Sequence, residues 1–180
     1  PEDLILKPAF MEKCEDAISE LKLYLKGKTS TVILGTPYRE DGKLFNTALV
    51  LRDGEIIEKH FKLALPNYGV FDEKRIFSHG EKFTEIKLKN FKIGLMVCED
   101  IWIDQHMTDL SKNNLDLVVS INASPFDVNK ISERESKAVD FSSNVGAPLV
   151  YVNQVGGQDE IVFDGNSFIA SSGKIVAQLP

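Results

Sequence analysis

An apolar run, Phe91-Lys-Ile-Gly-Leu-Met-Val97, leads straight into Cys98-Glu99-Asp100-Ile-Trp102. Open α/β folds place reactive groups where a strand ends and a polar turn begins, so a thiol at position 98 could act as a nucleophile. The chain carries its own control. Lys13-Cys14-Glu15-Asp16 repeats the Cys-Glu-Asp triplet inside a segment whose apolar residues Phe10, Ala17, Ile18, Leu21 and Leu25 recur at helical spacing. Cys14 therefore reads as a small core residue. Context, not the triplet, singles out Cys98, and from these residues alone an inert core thiol stays open beside the nucleophile. Lys62, taken alone, is a lysine near the end of an alternating strand. Glu73 lies in the charged run Asp72-Glu-Lys-Arg75, Ser124 precedes Pro125, and Lys130 could be a surface residue. His60, His79 and His106 show no spacing that suits a metal or a nucleophile–histidine pair, and no metal site is expected. Trp102 reads as core or pocket wall.

The elements that must position these residues follow from periodicity. A helix is predicted from Pro8 to about Lys26, with Gly27 at its C-terminal cap. Strands are predicted at Thr31–Thr36, Asn46–Leu51 and Glu55–Phe61, joined through Asp41-Gly42 and Asp53-Gly54, both hairpin signals. Leu65 to Gly80 has no usable period and contains Pro66, Asn67, Gly69 and Gly80, which predicts a long functional loop. Beyond it, Phe83–Leu88 and Phe91–Val97 form a hairpin-like pair around Lys89-Asn90. A short helix is predicted over Asp104–Lys112 and a buried strand over Leu115–Ile121. A second long helix runs from Ser132 to about Asn144, with Ser132 as N-cap and Glu135 in the capping-box position. Strands follow at Ala147–Val152, Ile161–Phe163, Ser167–Ala170 and Lys174–Ala177. The alternation of strands and helices predicts mixed sheets with helices packed outside.

At 180 residues the chain suits one sizeable domain, residues 1–180. Its 27 acidic against 21 basic residues give a net charge of -6 with no Lys/Arg-rich run, so no footprint for nucleic acid is present. Two cysteines in dissimilar contexts make no disulfide framework, which suits a reducing compartment. No apolar run approaches a membrane span and no signal peptide is visible, so a soluble cytoplasmic protein is expected. The chain opens at Pro1 without methionine and closes at Leu179-Pro180 after a strand-like run, which suggests an excerpt of something longer.

Three segments carry a resemblance: Phe61-Lys62-Leu-Ala-Leu-Pro-Asn67-Tyr68-Gly-Val-Phe71-Asp72-Glu73-Lys-Arg75, Cys98-Glu-Asp-Ile-Trp102 and Asn122-Ala-Ser124-Pro-Phe126. With them the chain resembles the nitrilase, or carbon–nitrogen hydrolase, superfamily. Tyr151-Val-Asn-Gln-Val-Gly-Gly-Gln-Asp-Glu160 and Phe163-Asp-Gly165 narrow the resemblance to the glutaminase domain of glutamine-dependent NAD synthetases. The fold this implies is a nitrilase-type α-β-β-α sandwich, here expected to be incomplete at both ends. Cys98 is then the nucleophile, forming a thioester with the side-chain carbonyl of L-glutamine and releasing ammonia. Lys62 stabilises the oxyanion and assists proton transfer, and Glu73 holds the lysine. The backbone N–H of Glu99 completes the oxyanion hole. Tyr68, Glu99, Ser124 and Lys130 match substrate-pocket positions, an acid for the α-ammonium and a base for the α-carboxylate.

The family's general base is a glutamate of a segment expected before residue 1. Glu2 does not match it, because Asp3-Leu-Ile-Leu-Lys-Pro8 aligns with a later segment, and the isolated chain is expected to be inactive. No cofactor is implied for glutamine hydrolysis. ATP and magnesium belong to a C-terminal NAD synthetase domain expected outside these residues, and the resemblance implies a homo-oligomer. The rival readings are a stand-alone amidase acting on another small amide, and an inert scaffold or regulatory domain.

Overall fold

The computed structural model describes residues 2–179, leaving Pro1, Pro180 and the Glu2 side chain outside the description. The chain forms two compact units, Pro1–Lys82 and Phe83–Pro180.

In the first unit a one-turn helix α1 (Glu2–Ile5) precedes α2 (Pro8–Leu25), which has proline in its first turn, where no backbone donor is needed. Gly27 stands one residue beyond the cap, Lys26, in the left-handed region at φ 76°, and its N–H is taken by Asp53 Oδ1 at 2.7 Å. Strands β1 (Thr31–Glu40), β2 (Lys43–Arg52) and β3 (Glu55–Phe61) form an antiparallel meander. Both connections are two-residue turns with positive φ at each centre, Asp41 and Gly42 at 49° and 75°, Asp53 and Gly54 at 49° and 78°. That is the turn geometry whose twist matches paired strands, and it explains why Asp-Gly marks them. Ile18 and Leu25 of α2 bury against Leu49 and Leu51 of β2. Cys14 on the same helix is half-buried, and burial and then Glu15 push its thiol above the ordinary value. Ala17, expected on the apolar stripe, is exposed.

The segment after β3 is irregular, as its composition predicts, apart from a 3-10 turn at Glu73–Arg75. It is tied back to the meander at both ends. Lys62 N–H donates to Asn46 O at 2.9 Å, Ser78 N–H to Leu44 O at 2.8 Å, and Gly80 N–H to Lys62 O at 2.8 Å. Gly80 is obligatory in this approach, since a Cβ there would fall 2.2 Å from the Phe61 carbonyl oxygen.

The second unit is a six-stranded mixed sheet of β4 (Thr84–Leu88), β5 (Phe91–Val97), β6 (Leu117–Asn122), β7 (Leu149–Asn153), β10 (Phe168–Ser171) and β11 (Lys174–Gln178), in the spatial order 11-10-7-6-5-4. Its centre, β5-β6-β7, is parallel. Parallel neighbours need crossovers, supplied by α3 (Asp104–Leu110) and α4 (Lys130–Val145). Strands β8 (Val155–Gln158) and β9 (Ile161–Asp164) form a separate ribbon. Met96, Leu110, Val118, Phe141, Leu149 and Tyr151 are part of the core between helices and sheet.

The start of α4 corrects the sequence expectation. Its N-cap is Asn129, no side chain caps it, and Ser132 lies inside the first turn with its hydroxyl donating to Asn129 O at 3.0 Å. The physical reason is the preceding turn. Asp127 accepts the Asn129 N–H on its carboxylate and the Lys130 N–H on its carbonyl, so the chain is already coiled two residues before Ser132.

Candidate active site

Lys62 follows the last residue of β3, and the loop folds over it until its side chain is 1% exposed. Its Nζ donates to Glu73 Oε1 at 2.6 Å, Glu73 itself being 13% exposed. A buried ammonium is tolerable only when paired. Glu73 opens the 3-10 turn, its N–H bound to Pro66 O at 3.2 Å, and its second oxygen accepts from Asn46 Nδ2 at 3.4 Å. Asn46 therefore touches both members, the lysine through its carbonyl and the glutamate through its amide. Tyr68 lies in the same loop, 57% exposed, with its ring edge-on to Phe71 at 5.8 Å.

In the second unit, β5 ends in a sharp elbow. Cys98 has φ 47°, in the left-handed region that a side chain other than glycine rarely enters, and it opens a 3-10 turn over Cys98–Trp102. The buried Asp100 fastens this elbow, its carboxylate accepting the Val97 N–H at 2.9 Å. Such an elbow presents a nucleophile beyond the end of a strand, with the next residue, Glu99, also past the strand's last residue. Cys98 and Glu99 are both half-buried.

Ser124 is buried just beyond β6, and its N–H donates to Asn153 Oδ1 at 2.9 Å. Its hydroxyl lies close to the Tyr151 phenol. Tyr151 stacks on Phe168 with centroids 4.7 Å apart, and burial first, then the neighbouring Cys98, push its phenol well above the ordinary value of 10. Cys98, Ser124 and Tyr151 thus share one end of the parallel strands. Lys130, the first residue of α4, sits over the Trp102 ring at 4.6 Å and pairs with Glu133 at 3.4 Å. Trp102 packs against the main core. Among the described residues no group of three or more His, Cys, Asp and Glu could hold a metal.

Sequence reasoning passed over Asn46, Asp100, Arg134, Asn153 and Asp164. The signal for the last two was present, since Asn153 and Asp164 stand inside the two motifs that narrowed the resemblance. Chemically, the first unit offers a buried, carboxylate-held ammonium and the second a thiol at a strand-end elbow with hydroxyls beside it. These are the parts required for covalent attack on a carbonyl and for charge stabilisation on its oxygen.

A glutamine-dependent NAD(+) synthetase of Acinetobacter baylyi is 39% identical over 181 residues, a match covering 99% of this chain and 33% of that protein. The solved glutamine-dependent NAD+ synthetase of Acinetobacter baumannii superposes with a TM-score of 0.92 at 38% identity, over 99% of this chain and 34% of that one. A carbon-nitrogen hydrolase of Helicobacter pylori, at 24% identity and a TM-score of 0.81 over 96% of this chain and 66% of its own, shows the same nitrilase-type mixed α/β fold. The chain spans about a third of the length of the NAD synthetases it matches. Among the described residues no helix is long and apolar enough to cross a membrane. The carbon-nitrogen hydrolase profile matches residues 16–180, and the chain belongs to that family.

Proposed function

We propose that this chain, completed by a general-base glutamate from a preceding segment, hydrolyses the side-chain amide of L-glutamine and supplies the ammonia to an NAD synthetase domain of the same cytoplasmic polypeptide. The observation that carries the reading is the buried Lys62–Glu73 pair, a lysine Nζ held against a carboxylate at 2.6 Å with its side chain 1% exposed. The long match to glutamine-dependent NAD synthetases supports the choice of amide. The Cys98 thiolate attacks the amide carbon, and the carbon–nitrogen bond breaks as the departing nitrogen gains a proton and leaves as ammonia. Water then cleaves the thioester, returning the thiol and releasing glutamate. Lys62 and the Glu99 N–H stabilise the oxyanion formed in each step, and one such donor is worth about 100 to 1,000-fold in rate. Glu73 keeps Lys62 in place. Tyr68, Glu99, Ser124 and Lys130 line the glutamine pocket, Glu99 meeting the α-ammonium and Lys130 the α-carboxylate. The glutaminase step uses no cofactor or metal; ATP and magnesium serve the synthetase site, and the whole assembles as a homo-oligomer.

The test is ammonia release from glutamine by the natural full-length polypeptide carrying this chain, beside Cys98→Ala, with nicotinate adenine dinucleotide and ATP present or absent. The expected result is release that needs Cys98 and rises with the synthetase substrates. Release indifferent to Cys98→Ala, or a preference for another small amide, would overturn the reading.

A further inference from the structure

Helix α4 buries Arg134, Ala138, Phe141, Ser142 and Val145 on one face. Arg134 is the anomaly, a guanidinium with no exposure placed at the head of a mostly apolar stripe. Its Nη1 and Nη2 grip Asp164 at the end of β9 through three contacts of 3.0 Å, and Asp164 is 15% exposed. Arg134 Nε is buried without a hydrogen-bond partner. A buried ion pair with an orphaned donor is a poor way to gain stability, because apolar residues of similar volume usually do as well or better. Its presence asks for another account.

Asp164 Oδ1 also accepts from Asn153 Nδ2 at 3.4 Å. Asn153 is the last residue of β7, where the β6–β7 ladder ends at Asn122 opposite Asn153. Its side-chain amide carries the pairing onward by imitating a strand. Oδ1 accepts the Ser124 N–H at 2.9 Å, while Nδ2 points to Ser124 O at 3.4 Å and to Gly165 O at 3.0 Å. The residue's own backbone is held by Ser167, whose Oγ accepts the Asn153 N–H at 3.0 Å and donates to Asn153 O at 3.2 Å. Residues 151 and 153 share one face of the strand, so the Tyr151 ring and the Asn153 clamp on the Ser124 backbone lie on the same side.

We infer that Arg134, Asp164 and Asn153 are positioning residues that fix Ser124 in the substrate pocket, and so set affinity for the amide substrate without setting the reactivity of Cys98. The inference rests on the glutaminase reading for its substrate, while the clamp itself is observable without any substrate. Helix α4 supplies the anchor, Asp164 transmits its position across 30 residues of chain, and the Asn153 amide delivers it to one backbone unit.

The experiment compares Asn153→Leu and Asp164→Asn with wild type in the natural full-length polypeptide, by three measurements. Hydrogen exchange at the Ser124 amide, with no substrate present, is expected to accelerate at least about tenfold in Asn153→Leu, as loss of one buried hydrogen bond implies. The KM for glutamine is expected to rise about 10- to 100-fold in both variants. The rate of Cys98 alkylation by iodoacetamide is expected to stay within about twofold of wild type. Asp164→Asn preserves shape and keeps a neutral acceptor for Arg134, so it remains informative where Asn153→Leu does not fold. Unchanged Ser124 exchange in Asn153→Leu, or unchanged KM in a folded Asp164→Asn, overturns the inference. So does a parallel fall in KM-independent turnover and Cys98 alkylation, which is the signature of general loosening. Wild-type protein that lacks Cys98-dependent glutamine hydrolysis sinks the substrate reading alone, and the exchange measurement then decides the clamp.

Discussion

Glu73→Gln removes one charge from the Lys62 pair while preserving shape. Breaking a buried pair by removing one partner costs about 3–5 kcal/mol, because the remaining charge is left uncompensated in a poorly solvated site. Two features of the structure pull the loss to the low end. Glu73 retains 13% exposure, which admits some water, and glutamine still offers Lys62 a neutral acceptor at the 2.6 Å position. The expected loss is about 3 kcal/mol. For a chain of 180 residues each kcal/mol moves Tm by about 2–4 °C, so Glu73→Gln melts roughly 6–12 °C below wild type. Lys62→Met combined with Glu73→Leu removes both charges and recovers most of that loss, although on the proposed function it abolishes glutamine hydrolysis. Circular dichroism melts of the three proteins at matched pH and salt make the comparison. A Glu73→Gln protein that melts within about 2 °C of wild type would show that the ammonium is not held by this pair.

Tyr151 yields a pH prediction. Burial and then Cys98 raise its phenol pKa above 10 in the folded state, so the stability tied to the neutral phenol is complete below the ordinary value and is lost as pH rises above it. Tyr151→Phe should therefore resist alkaline unfolding better than wild type, and the two proteins should give superimposable phenolate absorbance until wild type unfolds. Gly80→Ala forces the loop away from Phe61, where a Cβ would lie 2.2 Å from the carbonyl oxygen, and should cost at least about 1–3 kcal/mol in urea unfolding together with much of the activity proposed to depend on Lys62. Asp100→Leu strips the acceptor from the buried Val97 N–H and should lower stability by about 1–3 kcal/mol, read by the fluorescence of Trp102, the single tryptophan, at the far end of the same turn.

What could be read in advance was what local chemistry decides. Strand β3 appears at Glu55–Phe61 as predicted because Asp53-Gly54 admits only one tight reversal, and α2 ends beside Gly27 because a left-handed residue is needed there. The N-terminus of α4 was misplaced for an equally local reason. Ser132 and Glu135 satisfy the capping pattern, but Asp127 starts the turn earlier and takes the first free donors. Strand β8 was not anticipated, since Val155-Gly-Gly-Gln158 has no strand composition and exists only as the partner of β9. In the candidate site, Cys98 and Lys62 stood out through motif and position. Glu73 stood out with them, but Asn46, Arg134 and Asn153 did not. Asn46 meets Glu73 across 27 residues and Arg134 meets Asp164 across 30, and contacts of that span are set by topology, which no local window displays.

The left-handed conformation of Cys98 also bears on how this chain can be altered. A side chain held at φ 47° costs on the order of 1–3 kcal/mol, a penalty that glycine alone escapes. Stability and chemistry therefore prefer different residues at position 98. Any library ranked by thermal resistance alone should enrich glycine there and silently discard the proposed nucleophile, so the site most worth protecting in an engineering campaign is one where the fold itself favours its loss.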